Sequence, residues 1–499
     1  EPDTSAKTIQ GALQFLKRIN CSCINLISSF TEFFLRLAPY HPEHSFRLCF
    51  SSIGINSSDF FGNFPPDSIP EKPASLASER HCSKGVSPPS SGISSLLHAI
   101  GAIPNFTDII FFFVMIYETV NTMKTKKLSL GIVGGGPKSW IGHVHRISAR
   151  FDNQYEIVAG VFSRNAKLSV SFGQSIGIAK DRCYSNYKEM ADKETKREDG
   201  IEVVSIMTPP ASHQIIAGKF IDKDIHIISD KPFAGNLDQA KKLYKKIKSN
   251  KKIKYALTHN YSAYPMVREA KVLVEKGKIG KVEYVNVEYV QDWSGGENIT
   301  SKNAKKKLKW KLDNKIVGAS AVLNEIGTHS YHLASYISGL KGKTVFADIK
   351  KISNKIKMDD NAQVMINFAN GAKGMFWTSV MARGGVYGLR IRIFGTKGSL
   401  EWVQNDPNYL RLNPAKGAVK LLERGFHNAG FSTKFSRIKF GHPEGYLDAF
   451  ANIYREFADS IKSKSKKRFF YPNEDEGLET AKFINACKIS SKRKRWVKI

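Results

Sequence analysis

The chain has 499 residues, more than one hydrophobic core usually serves, so at least two domains are expected. Its net charge of +31 is unevenly placed: residues 1–122 carry 8 Lys and Arg against 10 Asp and Glu, and the remainder carries 68 against 35. The basic residues of that remainder are scattered, as in Lys302-Asn303-Ala304-Lys305-Lys306-Lys307, without interleaved aromatics to stack on bases. That pattern describes a solvated surface and argues against a nucleic-acid partner. Four of the six cysteines fall in the first 122 residues, leaving Cys183 and Cys487, too few for a disulfide framework or a metal site.

Residues 1–122 show no sustained helical or strand period and contain Phe64-Pro65-Pro66 and Ser87-Pro88-Pro89-Ser90-Ser91. All nine methionines lie at position 115 or later. The expectation is a non-domain extension over 1–122 and a functional protein that begins near Met123. The apolar run Ile109 to Tyr117 is closed off by Asp108 and Glu118 and is shorter than the ~18–20 residues of a membrane span. No basic region followed by an apolar stretch and a small-residue cleavage site opens the chain. A cytoplasmic protein without a membrane partner is expected.

From Leu128 the pattern is that of an α/β protein. Apolar runs at Leu128–Val133, Glu156–Phe162, Ile201–Met207, Ile225–Ser229 and Ile253–Leu257 alternate with helical stretches. This predicts a Rossmann-type parallel sheet over 123–258, with ligands at the carboxyl ends of the strands. Over 259–499 the rhythm changes. Val282–Trp293, Ala362–Phe368, Gly374–Val380, Leu389–Phe394 and Ser399–Val403 read as strands, with hairpin signals at Asn370-Gly371 and Thr396-Lys397-Gly398. Helices are expected at Pro265–Lys276, Asn324–Ile337 and Gly445–Ile461. The second domain is therefore α+β with a largely antiparallel sheet.

The first predicted strand runs into Gly134, Gly135 and Gly136, a turn whose bare backbone can approach a pyrophosphate at a helix N-terminus. Two of these glycines fit the first positions of G-x-G-x-x-G, with Ser139 in the third slot or Gly142 displaced from it. At the tip of the second strand, where an acid commonly holds the ribose hydroxyls of NAD, stand Ser163 and Arg164. A hydroxyl and a guanidinium suit a 2′-phosphate, so NADP is favoured over NAD.

Three further segments complete the pattern: Thr208-Pro209-Pro210-Ala211-Ser212-His213, Ser229-Asp230-Lys231-Pro232-Phe233, and Asn324-Glu325-Ile326-Gly327-Thr328-His329-Ser330-Tyr331-His332. With Thr258-His259-Asn260-Tyr261, Asp359-Asp360-Asn361-Ala362 and Gly441-His442-Pro443-Glu444-Gly445 in order, the chain from about Met123 onward resembles the Gfo/Idh/MocA oxidoreductases, the glucose-fructose oxidoreductase and inositol dehydrogenase superfamily. The resemblance implies hydride transfer between a nicotinamide cofactor and a hydroxyl or ketone of a sugar, polyol or cyclitol. It makes Lys231 the lysine of an E-K-P motif, with Asp230 in place of the glutamate. It also pairs His329 with Glu325 where the family commonly has D-I-G-x-H; four residues apart, the two share one helical face. Lys231, His329 and Glu325 are the catalytic candidates. Thr208, Pro209 and His213 join the glycine turn as cofactor candidates, and Asn260, Trp310, His332 and His442 are candidates for the substrate. In this family the open face of the second sheet pairs with another subunit, so a homodimer or homotetramer is implied. Alternative readings are an NAD-dependent glycosidase of the same superfamily, a non-catalytic sugar-sensing regulator, and a nucleic-acid binder driven by the basic excess.

Overall fold

The computed structural model describes residues 126–293, 320–353, 358–385, 388–426, 430–463 and 468–499. These belong to one compact unit, Lys124–Ile499. Trp310 lies outside the described residues.

The first half is built from β1 (Leu128–Gly134), α1 (Trp140–Phe151), β2 (Tyr155–Val161), α2 (Ala166–Ser175), α3 (Tyr187–Glu194), β3 (Val203–Met207), α4 (His213–Ile221), β4 (His226–Ser229), α5 (Leu237–Ser249) and β5 (Tyr255–Leu257). The strands form one parallel sheet in the order β2-β1-β3-β4-β5. Such a sheet needs cover on both faces, and its strands are accordingly apolar throughout. In β3, Val203 and Met207 join one core, while Val204 and Ile206 join the other. Ser205 breaks that apolar run and points, by the alternation of the strand, to the Val203 side.

The second half contains α6 (Pro265–Glu275), β6 (Val282–Val290), a π-helical turn (Leu323–Gly327) that runs into α7 (Thr328–Ser338), β7 (Gly342–Lys350), β8 (Asn361–Phe368), β9 (Lys373–Ser379), β10 (Gly388–Gly395), β11 (Gly398–Val403), β12 (Tyr409–Pro414), β13 (Lys420–Glu423), α8 (Tyr446–Lys462), α9 (Glu474–Arg493) and β14 (Val497–Lys498). The sheet order is β13-β12-β11-β10-β6-β9-β8-β7-β14, antiparallel throughout except for the β6 and β9 pair. Both expected hairpins are present, at Asn370-Gly371 between β8 and β9 and at Thr396-Lys397-Gly398 between β10 and β11. The inner face carries α6 and α7, and one continuous core runs from it to the Val203 side of the parallel sheet.

The C-terminal helices cross the boundary expected at residue 258. Helix α8 returns to the first sheet, where the Tyr155 hydroxyl donates to the carbonyl of Tyr454 at 2.8 Å. Helix α9 lies against α5, with Tyr244 Oη donating to Asp475 at 2.8 Å and Lys248 paired with Glu474 at 2.7 Å. The parallel sheet has one face left for cover, and these two helices supply part of it.

Candidate active site

The glycine-rich turn is shaped by close backbone approach. Gly134 and Gly135 have φ of 97° and 65°, in the left-handed region that favours glycine. A Cβ on Gly136 would stand 2.4 Å from the carbonyl oxygen of Phe162, and one on Gly142 would stand 2.4 Å from Cα of Gly135. Gly142, not Ser139, therefore performs the packing role of the third glycine, one helical turn into α1. Ser139 is instead the cap of α1, its Oγ accepting the Gly142 N–H at 3.0 Å. Arg146 of α1 donates to the carbonyl of Gly135 at 2.5 Å, tying helix to turn. The result is a bare, tight turn at a helix N-terminus, which fits a dinucleotide pyrophosphate.

Ser163 and Arg164 follow β2 beside this turn. Ser163 Oγ accepts the Asn165 N–H at 3.1 Å, and Arg164 is exposed. Thr208 and Pro209 follow β3 and are partly accessible. His213, expected beside the cofactor, is fully buried; its ring nitrogens lie 2.8 Å from the Pro232 carbonyl and 2.6 Å from the Thr208 carbonyl. It clamps the loop after β3 to the loop after β4 from behind, where it has no surface to offer a ligand.

The loop after β4 carries Lys231, whose peptide bond to Pro232 is cis. Asp230 Oδ1 accepts the Lys231 backbone N–H at 2.8 Å and the Thr258 hydroxyl at 3.0 Å. Lys231 Nζ donates across to the carbonyl of Glu325 at 2.8 Å, with Glu325 Oε2 at 3.7 Å. Glu325 sits in the π-helical turn, a local widening common at functional sites, and His329 follows in the first turn of α7. The start of this segment is pinned by Asp359, which accepts from Ala321 and Val322 N–H at 3.1 Å each and from Ser320 Oγ. Lys231, Glu325 and His329, far apart in sequence, thus meet where the two sheets' helices adjoin.

His329 is buried, its Nδ1 without a hydrogen-bond partner among the described residues, and its ring stands edge-on to Tyr261 at 4.7 Å and to His259 at 5.5 Å. Burial, then the Lys231 charge, hold its pKa well below the ordinary value, against a smaller opposite pull from Glu325. His259 is driven the same way by burial and by His332, His329 and Lys231. Both imidazoles are neutral near pH 7, so His329 is able to accept a proton.

His332 does not face this site. It stacks beneath His259, rings 4.1 Å apart and 9° from parallel, and reaches Glu476 at 3.8 Å on the far side of α7, where it lines a separate cavity of about 260 Å³. His442 is exposed, and its loop is held by the buried Arg424 to Glu444 pair at 3.3 Å, which leaves both His442 and Glu444 with a structural part. Asn260 is buried beside His259 and Tyr261, its Nδ2 without a partner among the described residues.

An aromatic wall completes the site, and the sequence does not announce it. Tyr261 and Tyr289 share a hydroxyl contact of 2.5 Å, and Tyr446 at the start of α8 packs 6.4 Å from Tyr261 and 5.4 Å from Trp140 of α1. Burial, Tyr289 and Asp230 all push the Tyr446 phenol upward, which keeps it a neutral hydroxyl at the site. Tyr261 stands within the Thr258-His259-Asn260-Tyr261 motif, but nothing local distinguishes Tyr289 or Tyr446 from packing residues.

Comparison with known proteins agrees with this architecture. Residues 128–259 match the profile of the oxidoreductase family with an NAD-binding Rossmann fold, and residues 267–401 match the GFO/IDH/MocA C-terminal domain. The uncharacterized oxidoreductase YfiI of Bacillus subtilis is 33% identical over 376 residues, covering 73% of this chain and 94% of that protein. A crystal structure of an oxidoreductase from Sinorhizobium meliloti superposes with a TM-score of 0.68 at 41% identity, over 75% of this chain and 100% of that one. An inositol dehydrogenase homolog from Azotobacter vinelandii, complexed with NADH and myo-inositol, gives a TM-score of 0.69 at 27% identity, over 75% and 98%. With the bare glycine turn of an NAD-binding Rossmann domain joined to this second sheet, the chain belongs to the Gfo/Idh/MocA family of oxidoreductases.

Proposed function

We propose that this protein is an NAD(P)-dependent dehydrogenase that oxidises a secondary hydroxyl of a sugar, polyol or cyclitol, or reduces the matching ketone. The observation that carries the reading is the 2.8 Å bond from Lys231 Nζ to Glu325 O, which holds an amine against the helix that bears the neutral His329. When bound, a nicotinamide accepts the hydride from the carbinol carbon. His329 takes the carbinol proton at a ring nitrogen. Lys231, with N–H bonds left beyond the one given to Glu325, steadies the carbinol oxygen. Glu325 keeps a carboxylate within 3.7 Å of that ammonium. The myo-inositol bound by the Azotobacter vinelandii homolog supports a polyhydroxylated ring as the substrate class.

The tip of β2 presents Ser163 and the exposed Arg164 where an acid commonly stands, which favours NADP. The test is a panel of myo-inositol, hexoses and linear polyols with NAD and NADP, followed by absorbance of the reduced cofactor. Lys231→Ala and His329→Ala should each lower kcat/KM by about 10²–10⁴-fold; full activity in either variant overturns the assignment. Arg164→Asp should reverse the cofactor preference, and a wild-type preference for NAD refutes the NADP reading.

The outer face of the second sheet supports self-association. Tyr284, Met365, Met375, Trp377 and Phe394 all project from it and are exposed. The ladder sets Met365 beside Met375 and Tyr284 beside Phe394, two apolar pairs on one face, with Asn286 opposite Met375 and Lys373 opposite Tyr284 where β6 meets β9. A two-fold pairing of this face with a second copy would cover them.

A further inference from the structure

A second buried polar chain runs beneath Lys231, and the hydride-transfer scheme does not use it. Ser205, the one polar residue of β3, lies 2.7 Å from the Tyr454 hydroxyl of α8. Tyr454 Oη lies 2.8 Å from His145 Nδ1, and His145 belongs to α1, the helix that leaves the glycine-rich turn. The other ring nitrogen, Nε2, is buried without a hydrogen-bond partner among the described residues and points at Asp230 Oδ1, 4.0 Å away. Asp230 is the residue that accepts the Lys231 backbone N–H.

Burial lowers the His145 pKa to about 4, more than the Asp230 charge restores, so the ring is neutral and carries one N–H. A carboxylate accepts only, so the N–H faces Asp230 on Nε2 and the lone pair sits on Nδ1. Tyr454 therefore donates to Nδ1, and Ser205 donates to Tyr454. Each member fixes the next: hydroxyl, phenol, imidazole, carboxylate, and finally the backbone of the catalytic lysine. Phe450 packs edge-on to the imidazole at 5.1 Å and limits its rotation. At 4.0 Å the last link is a dipole aimed at a charge, not a hydrogen bond, and in a dry interior such an interaction is felt at that range.

We propose that His145 is a positioning residue for Lys231, acting through Asp230: its Nε2–H orients the carboxylate that holds the lysine turn, and so links the phosphate-binding helix α1 and the C-terminal helix α8 to the amine. This rests on the assignment of Lys231 to the reaction, but its test does not require turnover. The Asp230 oxygen that accepts the Lys231 N–H and the Thr258 hydroxyl is the same Oδ1 that the imidazole Nε2 faces, so the imidazole acts on the atom that holds the lysine turn.

The experiment is trace labelling of the full-length protein with acetic anhydride, with acetylation of each lysine read by mass spectrometry of its peptide. Lys271, whose Nζ is held by the Tyr336 carbonyl at 2.8 Å in another part of the fold, is the internal control. His145→Phe and Asp230→Asn should each raise Lys231 labelling roughly threefold or more while Lys271 stays constant, because a loosened turn frees Nζ from Glu325. His145→Gln, which returns an N–H near the Nε2 position, should restore the wild-type rate. The double variant His145→Phe with Asp230→Asn should label no faster than the faster single one, since both break one link. Tyr454→Phe provides a milder break if the His145→Phe variant is recovered in low yield, and should raise Lys231 labelling selectively. Unchanged Lys231 labelling in His145→Phe or Tyr454→Phe overturns the proposal. So does a rise shared equally by Lys271, or a His145→Gln variant that labels as fast as His145→Phe. If no polyol is oxidised yet Lys231 labelling responds as described, the positioning stands and the substrate assignment alone fails.

Discussion

At the scale of the residue, the site and the structure behind it contain histidines whose burial favours the neutral form. His145, His213, His259 and His329 all have folded-state pKa values below the unfolded 6.5, each chiefly through desolvation. A depressed pKa means the unfolded chain binds the extra protons. Stability from this source is complete above pH 6.5 and is lost as pH falls toward the folded value. For His145 the window runs from 6.5 to about 4 and corresponds to about 3 kcal/mol at its lower end. Urea unfolding at a series of pH values should show wild-type stability falling through this window and His145→Gln falling less; parallel curves would contradict it. Gly142 is the second residue with a decisive environment. Gly142→Ala sets a methyl group against the backbone of Gly135, which cannot yield as a side-chain tip can. Cofactor affinity, measured by fluorescence titration with NADH and with NADPH, should fall by at least about tenfold for whichever the wild type binds, with the fold retained by circular dichroism.

Elements, rather than residues, bring the lysine to the histidine. The loop after β4 and the π-helical turn before α7 come from different sheets, and α9 locks them together: a Cβ on Gly477 would stand 2.6 Å from Cγ of Phe233, which follows Lys231-Pro232. Gly477→Ala should therefore cost about 1–3 kcal/mol in unfolding free energy and lower kcat more than KM for the substrate found in the proposed panel, as the Lys231 loop is pushed. Thermal melts with initial-rate kinetics measure both, and a variant as stable and active as wild type would remove Gly477 from this role. Helix α9 itself is not legible in the sequence. Its buried positions Gly477, Thr480, Phe483, Ile484, Ala486, Cys487 and Ser490 follow helical spacing along one side, but Gly477, Thr480 and Ser490 are small or polar, so the apolar stripe is interrupted. Strands β7, β12 and β13 escape a sequence reading for a related reason: they lie toward the outer part of a sheet, with fewer fully buried residues to mark a period of two.

On the scale of the whole molecule, the two sheets present opposite problems. The parallel sheet is covered by the helices of its own half together with the C-terminal α8 and α9, whereas the nine-stranded sheet carries helices on one face and shows Met365, Met375 and Trp377 on the other. Met365→Glu with Met375→Glu should convert an oligomer into a monomer in light scattering after gel filtration, since like charges would face each other across a two-fold axis. A wild-type monomer, or an oligomer indifferent to the change, would refute the pairing. No described helix is long and apolar enough to cross a membrane.

Residue order alone was enough for the elements whose periods are local and whose turns carry their own chemistry. These include the β1 strand and glycine turn, the alternation of strands and helices to β5, the two hairpins, and the placement of Lys231 after β4 and His329 on a helix. It also carried the family resemblance that the profiles and relatives bear out. Which residues meet was settled by the packing of the two sheets. That packing gave the third-glycine role to Gly142, turned His213 and His332 away from the ligand side, made Glu444 an anchor for Arg424, and brought Tyr289, Tyr446 and His145 to the site. The reason is physical: a period of 3.6 or 2 specifies a face and its near neighbours, whereas contacts across tens or hundreds of residues depend on how layers stack, and no local pattern records that.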